Sequence, residues 1–151
     1  MGAADFITGY KTFKSFDAAD LAALNACCAE ESFPKGEVIF QEEAPGDRMY
    51  IVKSGTVRIA KRIKAQENTL AVLNPGEFFG EMALLDGMPR SASARAAEDA
   101  KVLSISRVNY QALRERSAST ALKVTDILVA VLSTRLRQAN RNLETLSLLI
   151  S

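Results

Sequence analysis

Residues 78–93 read Phe-Phe-Gly-Glu-Met-Ala-Leu-Leu-Asp-Gly-Met-Pro-Arg-Ser-Ala-Ser, and no other stretch restricts this chain as much. Gly80 has no Cβ to hold a ligand away, and residues 81–85 can close one helical turn whose free amides face an anion. Asp86-Gly87-Met88-Pro89 is a turn signal, after which Arg90 presents a planar, permanently charged fork suited to a phosphate. Glu81 would repel that anion. Its presence is explained if it accepts hydrogen bonds from an uncharged group on the same ligand, such as a sugar hydroxyl. The competing reading is an ordinary helical turn in a β-protein, with Arg90 salt-bridged to Glu81.

The flanking sequence supplies a β framework. From Phe33 to Phe40 it predicts a strand, a Pro34-Lys35-Gly36 turn and a second strand, and Pro45-Gly46-Asp47 marks the next turn. Met49-Tyr50-Ile51-Val52 and Thr56-Val57-Arg58-Ile59-Ala60 flank Lys53-Ser54-Gly55, a hairpin in which glycine supplies the positive φ. Leu70-Ala71-Val72-Leu73 ends at Asn74-Pro75-Gly76, and residues 91–96 and 102–105 follow the ligand stretch. About eight short strands with glycine turns predict a mainly β chain with flanking helices, its strands wound as a jelly-roll β-roll.

On these residues the chain resembles the cyclic nucleotide-binding domain family. Phe-Gly-Glu-hydrophobic-Ala-Leu at 79–84 and Pro-Arg-Ser-Ala at 89–92 are similar to that family's phosphate-binding cassette. Phe-Pro-x-Gly-Glu from Phe33, Gly-Asp-x-x-Tyr-x-Val-x-x-Gly from Gly46 and Leu-x-Pro-Gly-x-x-Phe-Gly-Glu from Leu73 resemble its β-roll turns. The resemblance implies that Glu81 and the Gly80 amide hold the ribose 2′-hydroxyl. It implies that Arg90 and the amides of Ala83 and Ala92 hold the cyclic phosphate, with Met82 among the ligand-binding positions. Ser91 stands where the family touches the phosphate or a guanine amino group, so it suits cAMP or cGMP. cAMP is favoured because Arg-Ser-Ala matches the bacterial activators, which also close the base pocket from a long C-terminal helix. Asn140, beside the small Ala139, is the candidate lid. Leu84, at the end of the cassette helix, and Tyr110 are the hinge pair that the resemblance implies.

The 151 residues suit one domain: a helical lead-in over 1–30, a β-roll over 31–106 and C-terminal helices over 107–151. Nineteen Lys and Arg against eighteen Asp and Glu leave a formal charge of +1, which argues against electrostatic binding to nucleic acid or membrane by the molecule as a whole. Arg58, Lys61, Arg62 and Lys64 crowd one hairpin end. Arg58 and Arg62 alternate with Val57 and Ile59 as a solvated face does, and no aromatic residues interleave for base stacking. There is no histidine, and the two cysteines, Cys27 and Cys28, are adjacent in a helical pattern. No metal set, catalytic pair or further cofactor is expected, so an enzyme is not expected. No apolar run is long enough for a bilayer, and the N-terminus lacks the pattern of a signal peptide. A cytoplasmic protein without membrane partners is therefore expected.

Asp17 can cap a helix running through Cys28, with Leu21, Leu24 and Cys28 on one face and Asp20 in the first turn. Phe6, Phe13 and Phe16 anchor the segment before it, whose first few residues are expected to fray. Ser106 predicts the cap of a short helix carrying Val108, Tyr110 and Leu113, and Ser119 the start of the last helix. Leu122, Thr125, Val129, Leu132, Leu136, Ala139, Leu143, Leu146 and Ile150 repeat at alternating three and four spacings, a coiled-coil seam that implies a homodimer. Val124, Ile127, Leu128 and Val131 form a second apolar set for packing on the chain's own β-roll. No recognition helix for DNA follows Ile150, so direct nucleic-acid contact is not expected from this chain. The leading expectation is a cyclic nucleotide sensor. Its rivals are a dimerisation module with an empty pocket, or one taking cGMP or a cyclic dinucleotide, and a fragment of a DNA-binding regulator.

Overall fold

The computed structural model describes residues 2–150. Two 3-10 turns, Asp5–Gly9 and Lys11–Phe13, lead into α1 (Ala18–Cys27). Eight strands follow: β1 (Cys28–Phe33), β2 (Val38–Phe40), β3 (Arg48–Ser54), β4 (Val57–Ile63), β5 (Gln66–Leu73), β6 (Phe78–Phe79), β7 (Ser93–Ala96) and β8 (Ala100–Ser106). A short helix α2 (Glu81–Asp86) interrupts them after β6, and α3 (Arg107–Arg116) and α4 (Ala118–Ile150) close the chain. The strands form two antiparallel four-stranded sheets, ordered β1-β8-β3-β6 and β2-β7-β4-β5, which is the expected jelly roll.

Strand periodicity divides the core in two. Along β3, Met49 and Ile51 face the helices while Tyr50 and Val52 face the roll interior; on β8, Leu103 and Ile105 face out and Val102 faces in. The strands β3 and β8 in the middle of the β1-β8-β3-β6 sheet are thus buried on both faces, which explains the unbroken apolar run of Met49 to Val52. The outer core joins Ile7, Phe13, Leu24, Leu113, Val124 and Leu128 to that sheet. Each such side chain, fully removed from water, contributes about 1.5–3 kcal/mol. The second sheet has a solvated outer face. There the basic cluster is tied to acids, with Arg58 paired to Glu67 and Lys61 Nζ 2.9 Å from Glu42 Oε2.

Several boundaries differ from the sequence expectations. α1 ends at Cys27, because Cys28 already pairs with Ile105 in β1, so the β-roll begins at residue 28 and not 31. β1 runs up to Phe33, and its polar residues Glu30, Glu31 and Ser32 hid it; Lys53 pairs with Glu30 across the surface. Residues 64 and 65, both with positive φ, make the turn that lets β5 start at Gln66 rather than Leu70. β7 begins at Ser93, not at residue 91, and α4 starts one residue early, at Ala118. Among the N-terminal residues expected to fray, Met1 lies outside the described residues, whereas the Ala4 amide donates to Asn25 Oδ1 at 2.7 Å and Ala4 is buried.

Both predicted caps form. Asp17 and Asp20 make a reciprocal capping box on α1, and Ser106 Oγ accepts from the Asn109 amide on α3. Cys27 is buried and Cys28 half-buried; burial raises both thiol pKa values, that of Cys28 to about 11, with the Cys27 charge adding to it. α4 is about 50 Å long for its 33 residues. Its first turns bury Thr120, Ala121, Val124 and Leu128, while Leu136, Leu143, Leu146 and Ile150 stand exposed. The apolar set chosen for the chain's own β-roll is thus buried or half-buried. Within the seam, Leu122 is exposed, Thr125 bonds Tyr110 on α3, Val129 is exposed and Leu132 half-buried, and every position from Leu136 to Ile150 is exposed.

Candidate functional site

The site begins where β6 runs into α2. Phe78 and Phe79 are locked in the two cores, so the chain leaves the sheet at a fixed place, and Gly80 turns it into α2 with φ +73. A Cβ on Gly80 would lie 2.7 Å from Arg90 Nη1, so no side chain fits there without moving the arginine. Gly46 answers it from the β2–β3 loop, where a Cβ would fall 2.6 Å from Arg90 Nε and 2.7 Å from Ala83 Cβ.

Arg90 is only 6% exposed. Its Nη1 donates to the Gly80 carbonyl at 3.0 Å and its Nη2 to the Arg48 carbonyl at 2.8 Å, and its guanidinium lies 4.0 Å over the Phe40 ring. The β2–β3 loop holds its backbone on both sides, through Glu43 N–H to Arg90 O at 2.7 Å and Arg90 N–H to Ala44 O at 2.9 Å. Burial pulls the guanidinium below its ordinary pKa, against the opposing pull of Tyr50, Asp47 and Glu81. Nε is buried with no hydrogen-bond partner among the described residues. A desolvated cation bonded to neutral carbonyls, with one donor orphaned, is an unfavourable arrangement for stability alone. An anion beside it would satisfy both the charge and the donor.

Glu81, 2% exposed, does not pair with Arg90. Arg135, reaching in from α4, donates Nη1 to Glu81 Oε1 and Nη2 to the Phe78 carbonyl, which replaces the Glu81–Arg90 pair of the competing reading. Sequence reasoning missed Arg135. A cation beside Leu136 on an otherwise apolar helix face was its only signal. Ala83 and Ala92 are buried against the site, whereas Met82 and Ser91 lie at its exposed side, Ser91 Oγ 3.8 Å from Met82 Sδ. Asn140 is exposed, about 140° around α4 from Arg135, and makes no hydrogen bond to the other site residues among those described.

The structure places the two implied hinge residues on neighbouring helices, Leu84 on α2 and Tyr110 on α3. Leu84 and Tyr110 belong to one core and line one cavity between α2, α3 and α4. Arg107 at the start of α3 donates to the Ala83 carbonyl, tying α3 to the ligand helix, and Tyr110 Oη bonds Thr125 Oγ1 on α4. A second cavity, of about 590 Å³, runs between Thr12, Phe78, Val131 and Arg135 under α4; it borders the site at Phe78 and Arg135 but is not lined by Gly80, Glu81 or Arg90. Among the described residues, no helix is long and apolar enough to cross a membrane.

Comparison with known proteins agrees with this fold. The profile of the cyclic nucleotide-binding domain matches residues 30–117. The cyclic AMP receptor protein of Thermus thermophilus is 45% identical over 116 residues, 76% of this chain and 52% of that protein. Among solved structures, the catabolite activator protein of Thermus thermophilus superimposes with a TM-score of 0.79 at 40% identity, covering 90% of this chain and 62% of that one. A cyclic nucleotide-binding domain from Methylobacillus flagellatus gives 0.81 at 27% identity over 91% and 78%. The chain spans about half the length of the curated relatives it matches.

Proposed function

Because the chain belongs to the cyclic nucleotide-binding domain family, we propose that it is a cytoplasmic, non-catalytic sensor that takes up cAMP in the β-roll and passes binding to its C-terminal helices. The observation that carries this reading is Arg90: a buried guanidinium with an orphaned Nε, held beside the first turn of α2. The cyclic phosphate lies on Arg90 and the amides of Ala83 and Ala92, and the ribose 2′-hydroxyl on Glu81 and Gly80, with Met82 and Ser91 flanking the entry. The relative named for cyclic AMP favours that ligand over cGMP. Phosphate binding closes α2, and Leu84 against Tyr110 selects one position of α3 and α4. Asn140 acts as the lid in this reading, and the exposed α4 stripe pairs two copies. A calorimetric titration with cAMP, cGMP and a cyclic dinucleotide tests it, with saturable cAMP binding expected.

One observation favours a second reading. Arg135 already holds Glu81, as it would in a dimerisation module whose pocket takes no nucleotide. Failure of cAMP and cGMP to raise the melting temperature at millimolar concentration would select that reading. If cAMP at about a hundred times its dissociation constant binds the native state alone, it should stabilise the fold by about 2.7 kcal/mol.

A further inference from the structure

The cavity between α2, α3 and α4 has a volume of about 520 Å³, within the range of about 300–1,000 Å³ usual for small-molecule sites. Its floor is buried: Leu84, Tyr110 and Ala121. Its rim is apolar and in water, with Leu85 44% exposed on α2 and Leu122 61% exposed on α4. The α3 wall is basic. Arg107, Tyr110, Gln111 and Arg114 recur at helical spacing along it, and no acidic residue lines the cavity. Arg107 is already engaged by the Ala83 carbonyl. Arg114 makes no hydrogen bond or ion pair among the described residues, so its planar fork is available.

We propose that this groove is a second ligand site for a small organic anion with an apolar tail, a medium-chain carboxylate being the simplest member of the class. The tail lies against Leu84, Leu85 and Leu122, and the carboxylate pairs with Arg114. Three helices enclose the occupant, and apolar walls with a cation on one side match its chemistry. Such a ligand wedges α2 against α4 and so favours one spacing of the cassette helix. Its binding is therefore linked to that of the nucleotide. This linkage rests on the nucleotide reading above; the site itself does not.

The test is a titration of the isotope-labelled full chain with decanoate and, in parallel, decanol, followed by NMR. Decanoate should give saturable shifts at Leu84, Tyr110 and Leu122 with a dissociation constant of about 1 mM or tighter, a modest affinity by the usual scale. Decanol should bind at least about fivefold more weakly, and Arg114→Glu should weaken decanoate at least about tenfold while sparing decanol. Leu122→Asp, at an exposed rim position, should weaken both. Equal affinity for decanoate and decanol, unchanged affinity in Arg114→Glu, or no saturable shift at these three residues would each overturn the site. With decanoate saturating, the cAMP dissociation constant should change by about fivefold or more, and the effect should be reciprocal. Decanoate binding in the groove with cAMP affinity unaltered overturns the linkage. Decanoate binding to a chain that takes up no cAMP upholds the site and removes the nucleotide reading.

Discussion

Arg135 on α4 and Glu81 at the first turn of α2, 54 residues apart, share one ion pair in which the carboxylate is buried and the guanidinium partly in water. The carboxylate proposed to receive a ribose hydroxyl is therefore also the one that fastens the long helix to the roll. A ligand group at Glu81 must either share it with Arg135 or displace Arg135, and either outcome is felt along α4.

This pair should be thermodynamically coupled. Arg135→Ala leaves a buried carboxylate without its cation and should lower stability by about 1–3 kcal/mol. Glu81→Gln combined with it should lose clearly less than the sum of the two single changes, by about 0.5–3 kcal/mol. Denaturant unfolding of the four proteins measures the coupling; additive losses would mean that the contact contributes nothing.

Arg90→Ala should weaken cAMP binding by about 2–5 kcal/mol, since a desolvated charged partner is lost. Arg90→Met should bind as poorly yet melt no lower than the parent, because it replaces an incompletely satisfied buried cation with an apolar chain of similar length. Calorimetry and thermal unfolding read the two effects separately. A Met variant that keeps its affinity would show that the phosphate lies elsewhere.

Asp20 predicts an acid-side loss of stability. Burial would raise its pKa, but hydrogen bonds from Lys123, Thr120 and the Asp17 amide, with the Lys123 charge, outweigh that and hold it at about 2 against an ordinary 3.8. Since the folded value is the lower one, the stabilising contribution is fully present above pH 3.8 and fades as the pH falls through 2. Asp20→Asn should melt lower than the parent at neutral pH, and the difference between them should shrink over that acid window. Melting curves across the window check it, and a constant difference would count against the latch between α1 and α4.

Leu136→Asp with Leu143→Asp should convert a dimer to a monomer while leaving the β-roll intact, because both side chains stand in water within one chain and the core lies upstream. Sedimentation velocity reports the mass and the cAMP titration reports the roll. A parent chain that sediments as a monomer at tens of micromolar would remove the pairing role of α4.

What could be read from sequence was what is encoded locally. Gly80, Glu81 and Arg90 lie within a dozen residues of one another, so their types and spacing point to one cradle, to which the family resemblance adds the Ala83 amide, and the caps at Asp17 and Ser106 follow from their own next turns. Arg135 could not be found that way, since its role depends on where a helix crosses a sheet more than fifty residues upstream. β1 escaped for another reason: with Glu30, Glu31 and Ser32 in its middle, its strand character comes from pairing with β8 rather than from its own composition. Asn140 was placed by analogy of position, and helical rotation carries it away from Arg135 within a single chain.

The alternation along β3 has a consequence for how this molecule can change over evolutionary time. Tyr50 and Val52 answer to whatever fills the roll, while Met49 and Ile51, their immediate neighbours, answer only to the helices. Substitutions that retune the pocket and substitutions that repack the helical bundle therefore fall on different residues of the same short segment. The two can be explored independently, so a lineage can alter its ligand without rebuilding its output, or keep the ligand and exchange the machinery that listens to it.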